Sequence, residues 1–161
     1  GGRSLGGPSI HALWFQKSPD HRRSAVGIVG AVATSEQIRL LLVEDVAQVS
    51  QYVRNLLQHQ KQVRLLDTLT DGHVVLDRIR ELRPDVVTMD ITMPHMDGIE
   101  CVEQLVQMKP EVLILVISAL ADKATAVDAM EKGANGFLNK PFSDRQLNEA
   151  LEELLGGARA P

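Results

Sequence analysis

A fivefold alternation of short apolar runs with longer stretches of helical periodicity most restricts how this chain can fold. The apolar runs predict strands at residues 38–43, 64–68, 85–89, 112–117 and 136–139. After each run, apolar residues recur at the spacing of one helix face, as Val46, Val49 and Val53 do after the first. Strict alternation of strand and helix predicts a parallel sheet that is covered by helices on both faces and joined by right-handed crossovers.

Residues that begin or end helices mark the boundaries of this pattern. Pro84 ends the second helix, and Gly133 suits the C-terminal cap of the fourth. Ser143 and Gln146 have the spacing of a capping box at the start of the fifth helix. The run at 64–68 is shorter and more polar than the others, which favours an edge strand.

Composition divides the 161 residues into three parts. Residues 1–35 are rich in Gly, Ser and Pro, lack a period, and are predicted to be a flexible arm or linker with a net charge of +3. Residues 36–155 are the predicted domain, and residues 156–161 are a second linker. An apolar cluster at residues 10–15 is either residual upstream sequence or a docking patch. Because the chain does not begin with Met, we expect either a fragment of a longer protein or a processed chain.

Composition also excludes several classes of function. The chain is 44% hydrophobic, enough for a core, but only 3% aromatic, which argues against a platform for stacking bases. A net charge of −4 argues against direct nucleic-acid binding. Cys101 is the only cysteine, so an intrachain disulfide and a cysteine-based zinc site are excluded and a reducing, cytoplasmic location is expected. No run is long and apolar enough for a membrane span.

Charged and hydroxyl side chains follow four of the five predicted strands. These residues are Glu44, Asp45, Asp90, Ser118 and Lys140. Ligands of open α/β sheets bind outside the carboxyl ends of the strands, so these side chains are expected to meet there. Three neighbouring carboxylates need a cation, and oxygen ligands favour Mg²⁺. A carboxylate held between Mg²⁺ and an ammonium stays ionised and can attack phosphorus.

Four short segments carry a family resemblance. They are Leu-Leu-Val-Glu-Asp at 41–45, Met-Asp-Ile-Thr-Met-Pro-His-Met-Asp-Gly at 89–98, Ile-Ser-Ala at 117–119 and Asn-Lys-Pro-Phe at 139–142. In combination they resemble the receiver domain of two-component response regulators, over residues 38 to 155. The resemblance implies an α/β fold of the flavodoxin-like type, a three-layer (βα)5 sandwich with the parallel strand order 2-1-3-4-5.

The resemblance also implies a phosphorylation site. Asp90 would accept a phosphoryl group from a sensor histidine kinase or a phosphotransfer protein, as a phosphoacceptor with self-phosphorylation and self-dephosphorylation chemistry rather than as an enzyme. Glu44, Asp45 and Asp90 would hold Mg²⁺ together with the backbone carbonyl of Thr92. Lys140 would contact the phosphoryl group.

A switch is implied as well. Ser118 would move toward the phosphoryl group, and Phe137 would move inward, so that the surface of the fourth helix, fifth strand and fifth helix changes. A downstream output domain, a partner protein or a second copy of the chain would read that surface. Leu120, two residues after Ser118, is expected to hinder the water that hydrolyses the acyl phosphate.

Two other functions stay open at this point. The chain could be an interaction module that keeps the receiver fold without phosphorylation. It could also be a phosphatase with an aspartate nucleophile, although that family has Asp-x-Asp after the first strand and here Glu44, Asp45 and Val46 stand there. The histidines are scattered and are expected to lie on the surface or in loops, and Cys101 is expected to be a small buried apolar residue.

Overall fold

The computed structural model describes residues 37–120 and 122–156, which form a parallel five-stranded sheet between two layers of helices. The strands are β1 (Ile38–Val43), β2 (Val63–Leu69), β3 (Val86–Asp90), β4 (Leu113–Ser118) and β5 (Gly136–Asn139). The helices are α1 (Ala47–Leu57), α2 (Val75–Leu82), α3 (Gly98–Met108), α4 (Lys123–Lys132) and α5 (Asp144–Gly156). Each apolar run of the sequence is a strand, and each helical period is a helix.

The strands lie in the order β2-β1-β3-β4-β5, which confirms the flavodoxin-like fold. Among the described strands, the polar strand β2 lies at an edge and pairs with β1, with a shift of register between Leu40 and Leu41. Strand order reverses between β1 and β3, and a crevice opens at the carboxyl ends of the strands at such a point.

Neighbouring residues of β1 point into two separate cores. Leu41 belongs to an apolar cluster that α2, α3 and α4 cover, whereas Leu42 belongs to a cluster that α1 and α5 cover. Both leucines are fully buried. Continuous apolar strands are therefore needed here, because side chains on both faces of the sheet are removed from water.

Two strand boundaries differ from the prediction. Both β3 and β4 begin and end one residue later than the apolar runs predict. Asp90 pairs with Ile117 in the ladder between β3 and β4, so Asp90 is the last residue of its strand and not the first of a loop. Strand β2 is longer by one residue at each end, and a 3-10 turn at Gly72–Val74 precedes α2. Polar residues can continue a ladder, because its hydrogen bonds come from the backbone.

The predicted helix ends are confirmed. Ser143 and Gln146 form the capping box: the Ser143 N–H donates to Gln146 Oε1 at 2.8 Å, and the Gln146 N–H donates to Ser143 Oγ at 3.1 Å. Gly133 follows α4 with φ +120°, a conformation that favours glycine. Helix α2 ends at Leu82, before Pro84.

The predictions for residues 1–35, and for all of the C-terminal linker except Gly156, lie outside the described residues. Across 37–120 and 122–156, helices long and apolar enough to cross a bilayer are absent.

Candidate functional site

The sheet brings the predicted site residues to one edge. Asp90 and Ser118 end adjacent strands, and the β4–β5 ladder pairs Ser118 with Asn139. The next residue, Lys140, donates its backbone N–H to the Ser118 carbonyl at 2.8 Å. Glu44 follows β1 directly and donates its N–H to the Leu69 carbonyl of β2 at 2.9 Å. Strand register alone therefore gathers groups that are up to 96 residues apart in the chain.

Lys140 joins two buried carboxylates. Its Nζ lies 2.9 Å from Asp90 Oδ2 and 3.0 Å from Glu44 Oε2. Both acidic residues are 1% exposed. Burial by itself lowers the pKa of Lys140, but the hydrogen bonds from its ammonium to Asp90 and Glu44 outweigh burial and raise that pKa. Lys140 is therefore a fixed positive charge at neutral pH.

Asp90 is held as an anion by three donors. Besides Lys140, the Thr92 N–H and hydroxyl both donate to Oδ1, at 2.8 and 2.6 Å. Burial acts to raise the pKa of Asp90, but these hydrogen bonds from Thr92 and Lys140 outweigh it and the pKa is lowered. The carboxylate predicted to be the nucleophile is thus ionised at neutral pH.

The carboxylate of Glu44 accepts fewer hydrogen bonds than that of Asp90. Burial raises its pKa, opposed by hydrogen bonds from the Val46 N–H at 3.0 Å and from Lys140. Its Oε1 also lies 3.0 Å from Lys140 Nζ, but without hydrogen-bond geometry, so this buried oxygen makes no hydrogen bond within the described part of the chain. A buried carboxylate oxygen that makes no hydrogen bond can serve as a ligand for a cation.

The acidic cluster fits a hard divalent cation. Glu44, Asp45 and Asp90 each offer a carboxylate oxygen within 4.8 Å of the others, and Asp45 is partly exposed. Oxygen ligands without nitrogen or sulfur favour Mg²⁺ over the softer transition metals. Glu44 Oε1, which makes no hydrogen bond within the described residues and lies 3.0 Å from the Lys140 ammonium, is a further oxygen available to such a cation. The residues present therefore fit the predicted magnesium site.

The two predicted switch residues are both buried. Ser118 is fully buried, and its Oγ accepts the Leu120 N–H at 2.9 Å. Phe137 is 2% exposed and packs in the apolar cluster under α2, α3 and α4. Phe137 already lies inward, so a switch that starts from this conformation has to repack the surroundings of Phe137 rather than bury it.

Sequence reasoning missed two side chains at this edge. Thr92 was assigned only through its backbone carbonyl, yet its hydroxyl makes the shorter of its two bonds to Asp90. Asn139 donates from Nδ2 to the Leu120 carbonyl at 3.0 Å, which ties the β4–α4 loop to the end of β5. The Asp-x-Thr spacing could have signalled the backbone part of this contact, because an aspartate carboxylate commonly accepts the N–H two residues later in a turn.

Comparison with known proteins agrees with this geometry. Residues 40–152 match the family model of the response regulator receiver domain. The chain belongs to the response regulator receiver domain family. Its fold is the one expected of a receiver domain of two-component signalling.

Chemotaxis proteins are among the similar proteins. The receiver domain is 33% identical to chemotaxis protein CheY of Thermotoga maritima over 116 residues, which are 72% of this chain and 96% of that protein. It is 34% identical over 128 residues to a protein-glutamate methylesterase/protein-glutamine glutaminase of Carboxydothermus hydrogenoformans, but these residues cover only 36% of that protein. The similarity to the methylesterase is thus limited to about a third of that protein's length. It is therefore no evidence that this chain has the methylesterase activity.

Solved structures show the same fold. A LuxR-family two-component response regulator from Aurantimonas is 30% identical, with a TM-score of 0.70, over 76% of this chain and 87% of that one. The CheY of the CheX-CheY-BeF3-Mg complex from Borrelia burgdorferi is 26% identical, with a TM-score of 0.71, over 76% of this chain and 92% of that one.

Proposed function

We propose that this receiver domain takes a phosphoryl group onto Asp90 from a phosphohistidine of a sensor histidine kinase or a phosphotransfer protein. The observation that carries the proposal is the ionised Asp90 carboxylate, held 2.9 Å from Lys140 Nζ beside the two other acidic residues of the cluster. A carboxylate placed next to a fixed ammonium and a cation site is suited to attack phosphorus.

The transfer conserves atoms and charge in one displacement. An Asp90 oxygen forms a bond to phosphorus while the phosphorus–nitrogen bond of the donor breaks. The departing imidazole keeps the electron pair of that bond and takes up a proton from water. Lys140 holds the equatorial oxygens of the phosphoryl group, where charge concentrates during transfer. In this role the lysine exchanges its present bond to Asp90 Oδ2 for one to the incoming phosphoryl oxygen.

Glu44, Asp45, Asp90 and the backbone carbonyl of Thr92 would hold Mg²⁺. When bound, the ion neutralises carboxylate charge and stabilises the negative charge of the phosphoryl group during transfer. The buried Glu44 Oε1, which makes no hydrogen bond within the described residues, and the all-oxygen donor set support this assignment.

The readout of phosphorylation would begin at Ser118. Its hydroxyl, which now accepts the Leu120 N–H, would turn to donate to a phosphoryl oxygen and release the start of the β4–α4 loop. Repacking around Phe137 would carry the change to the surface of α4, β5 and α5. That surface would be read by an output domain, a partner protein or a second copy of the chain. We propose that this exchange takes place in the cytoplasm, consistent with a sequence whose single cysteine excludes an intrachain disulfide.

Beryllofluoride with Mg²⁺ tests the proposal, because it mimics an acyl phosphate on an aspartate. We expect wild type to bind beryllofluoride only with Mg²⁺, and Asp90→Asn to lose that binding. Asp77→Asn, on the exposed face of α2, is the matched control and should bind normally. Labelling by acetyl phosphate, followed by mass spectrometry, gives the same comparison for a covalent adduct.

The two competing functions give different results in these assays. An interaction module without phosphorylation would bind neither beryllofluoride nor acetyl phosphate in wild type. A phosphatase would turn over a phosphate ester with multiple cycles. Either result contradicts the phosphoacceptor proposal.

A further inference from the structure

Two histidines that are far apart in the sequence meet at the same end of the sheet. His73 lies in the 3-10 turn after β2, and His95 lies in the loop between β3 and α3. Their rings are edge to face, with centres 5.3 Å apart and planes at 61°. We propose that this pair binds a divalent transition cation of the Zn²⁺, Ni²⁺ or Cu²⁺ class, at a site separate from the acidic cluster.

The donor atoms distinguish the two sites. Imidazole nitrogens suit Zn²⁺, Ni²⁺ and Cu²⁺, whereas carboxylates and water suit Mg²⁺. Within residues 37–120 and 122–156, the one group of three or more metal-ligating side chains is Glu44, Asp45 and Asp90, and it includes neither histidine. The histidine pair therefore supplies two nitrogens, and water completes the coordination.

The spacing of the rings matches a shared metal ion. A metal–nitrogen bond of about 2.0–2.1 Å places the ion about 3.2 Å from the centre of each ring. With ring centres 5.3 Å apart, the angle between the two ligands at the ion is then about 110°, close to the tetrahedral value that Zn²⁺ adopts. Both side chains are exposed, so each ring can turn to present a nitrogen without displacing packed atoms.

The backbones that carry the two rings are held close together without a metal. A Cβ at Gly72 would lie 2.6 Å from Met96 Cβ and 3.3 Å from the His95 carbonyl oxygen, so the two loops are in direct contact. The Asp71 carboxylate accepts the His73 N–H at 2.9 Å and fixes the turn. His95 has φ +61°, in the left-handed region, which sets the direction of its side chain. Such prior positioning lowers the entropy lost on binding.

A bound cation would link the turn after β2 to the loop that carries Thr92. It would thereby restrain a segment whose Thr92 donates two hydrogen bonds to Asp90. The proposal itself concerns binding and does not depend on the phosphoacceptor role of Asp90.

Calorimetric titration of the full 161-residue chain with Ni²⁺, in Mg²⁺ sufficient to fill the acidic site, tests the proposal. We expect one Ni²⁺ per chain, with affinity at least about tenfold weaker in His73→Asn and in His95→Asn, since each removes one of two ligands. Asparagine is chosen because it tolerates the left-handed backbone of His95. His59→Asn and the double variant His11→Asn/His21→Asn are controls and should bind Ni²⁺ as wild type does.

A second readout needs no variant. Paramagnetic Ni²⁺ should broaden the imidazole resonances of His73 and His95 before those of the other histidines in wild type. The proposal is overturned if wild type binds more weakly than about 1 mM, if either single variant keeps wild-type affinity, or if broadening begins at another histidine. Beryllofluoride binding by the same two variants reports on the acidic site, so a failure of the phosphoacceptor proposal is distinguishable from a failure of this one.

Discussion

Asp90 and Glu44 share one ammonium, yet their pKa values move in opposite directions. Asp90 accepts three hydrogen bonds, from Thr92 twice and from Lys140, and its pKa is lowered. Glu44 keeps one oxygen without a hydrogen bond, and burial raises its pKa. The two carboxylates are equally buried, so the number of hydrogen-bond donors, together with the charge of Asp90 beside Glu44, separates their pKa values. This difference favours Asp90 as the nucleophile and leaves Glu44 with an oxygen for a cation.

Replacing Leu120 by alanine is expected to shorten the lifetime of phosphorylated Asp90 severalfold. Leu120 is 52% exposed, and its backbone is fixed by Ser118 Oγ and Asn139 Nδ2, so its side chain can cover the route of the hydrolytic water. The decay of the acetyl-phosphate adduct, followed by mass spectrometry, measures this lifetime. Val74→Ala removes a comparably exposed side chain from the 3-10 turn before α2 and should have no effect. An unchanged or longer lifetime in Leu120→Ala would refute the shielding role.

At the scale of an element, helix α3 begins against Ile91, the loop residue that follows Asp90. Asp97 caps the helix by accepting the Glu100 N–H at 3.1 Å, and the first helical residue is Gly98. A Cβ at Gly98 would lie 2.4 Å from Ile91 Cβ and 2.5 Å from Ile91 Cα. The close approach of helix and loop therefore requires a residue without a side chain at this position.

Gly98→Ala should destabilise the domain by about 1–3 kcal/mol, because backbone atoms of Ile91 have to move to relieve the clash. Alanine usually stabilises a helix relative to glycine, so the expected change in stability is opposite to the one that helix propensity alone predicts. Urea denaturation measures the free energy of unfolding. Gly156→Ala is the matched control, since a Cβ there meets no atom within 4 Å, and it should be neutral or stabilising. Equal effects of the two substitutions would contradict this reasoning.

An ion pair joins the edge strand β2 to α2, and its contribution to stability should depend on pH. Arg78 Nη2 lies 2.7 Å from Asp67 Oδ2, and the hydrogen bond from Arg78 lowers the pKa of Asp67 below its ordinary value of 3.8. A carboxyl group whose pKa is lowered on folding stabilises the fold above its ordinary pKa and loses that effect as the pH falls through the folded value.

Asp67→Asn should therefore lower the free energy of unfolding by a small amount. This amount should be constant between pH 5 and pH 8, because both values lie well above 3.8. The difference from wild type should shrink only below pH 4. Denaturation at a series of pH values, with Asp77→Asn as the control, measures it. A difference that grows on acidification would show that folding does not lower the pKa of Asp67.

At the scale of the molecule, one sheet separates two apolar cores, and unfolding should still be a single event. Leu41 and Leu42 are adjacent and fully buried, and they pack in opposite cores. Cys101 reports on the first core: burial, together with Asp97 and Glu100, raises the pKa of its thiol to about 12. The thiol should therefore react with Ellman's reagent only after unfolding.

Leu41→Ala and Leu42→Ala should each cost about 2–5 kcal/mol, because each leaves a cavity in a packed core. In both variants the thiol reactivity of Cys101 and the far-ultraviolet circular dichroism should change at the same urea concentration. Separate transitions in Leu42→Ala, with Cys101 protected after the helical signal falls, would show that the two cores unfold independently.

The fold and most of the candidate site could be predicted from the sequence. Apolar runs and helical periods recur regularly enough to give all five strands and helices, and Ser143 with Gln146 gave the cap of α5. The ends of β3 and β4 were wrong by one residue, because backbone pairing such as that of Asp90 with Ile117 continues beyond the apolar run.

By itself, the sequence determined which chemical groups follow the strands and that a parallel sheet would bring them together. Tertiary structure decided which atoms meet: that the Thr92 hydroxyl reaches Asp90, that Phe137 is already buried, and that His73 and His95 lie side by side. These contacts depend on how separate loops pack against one another. Periodicity reflects local backbone geometry, which can be read along the chain, and the strand order was implied by the family resemblance. Loop packing depends on distances between segments remote in sequence.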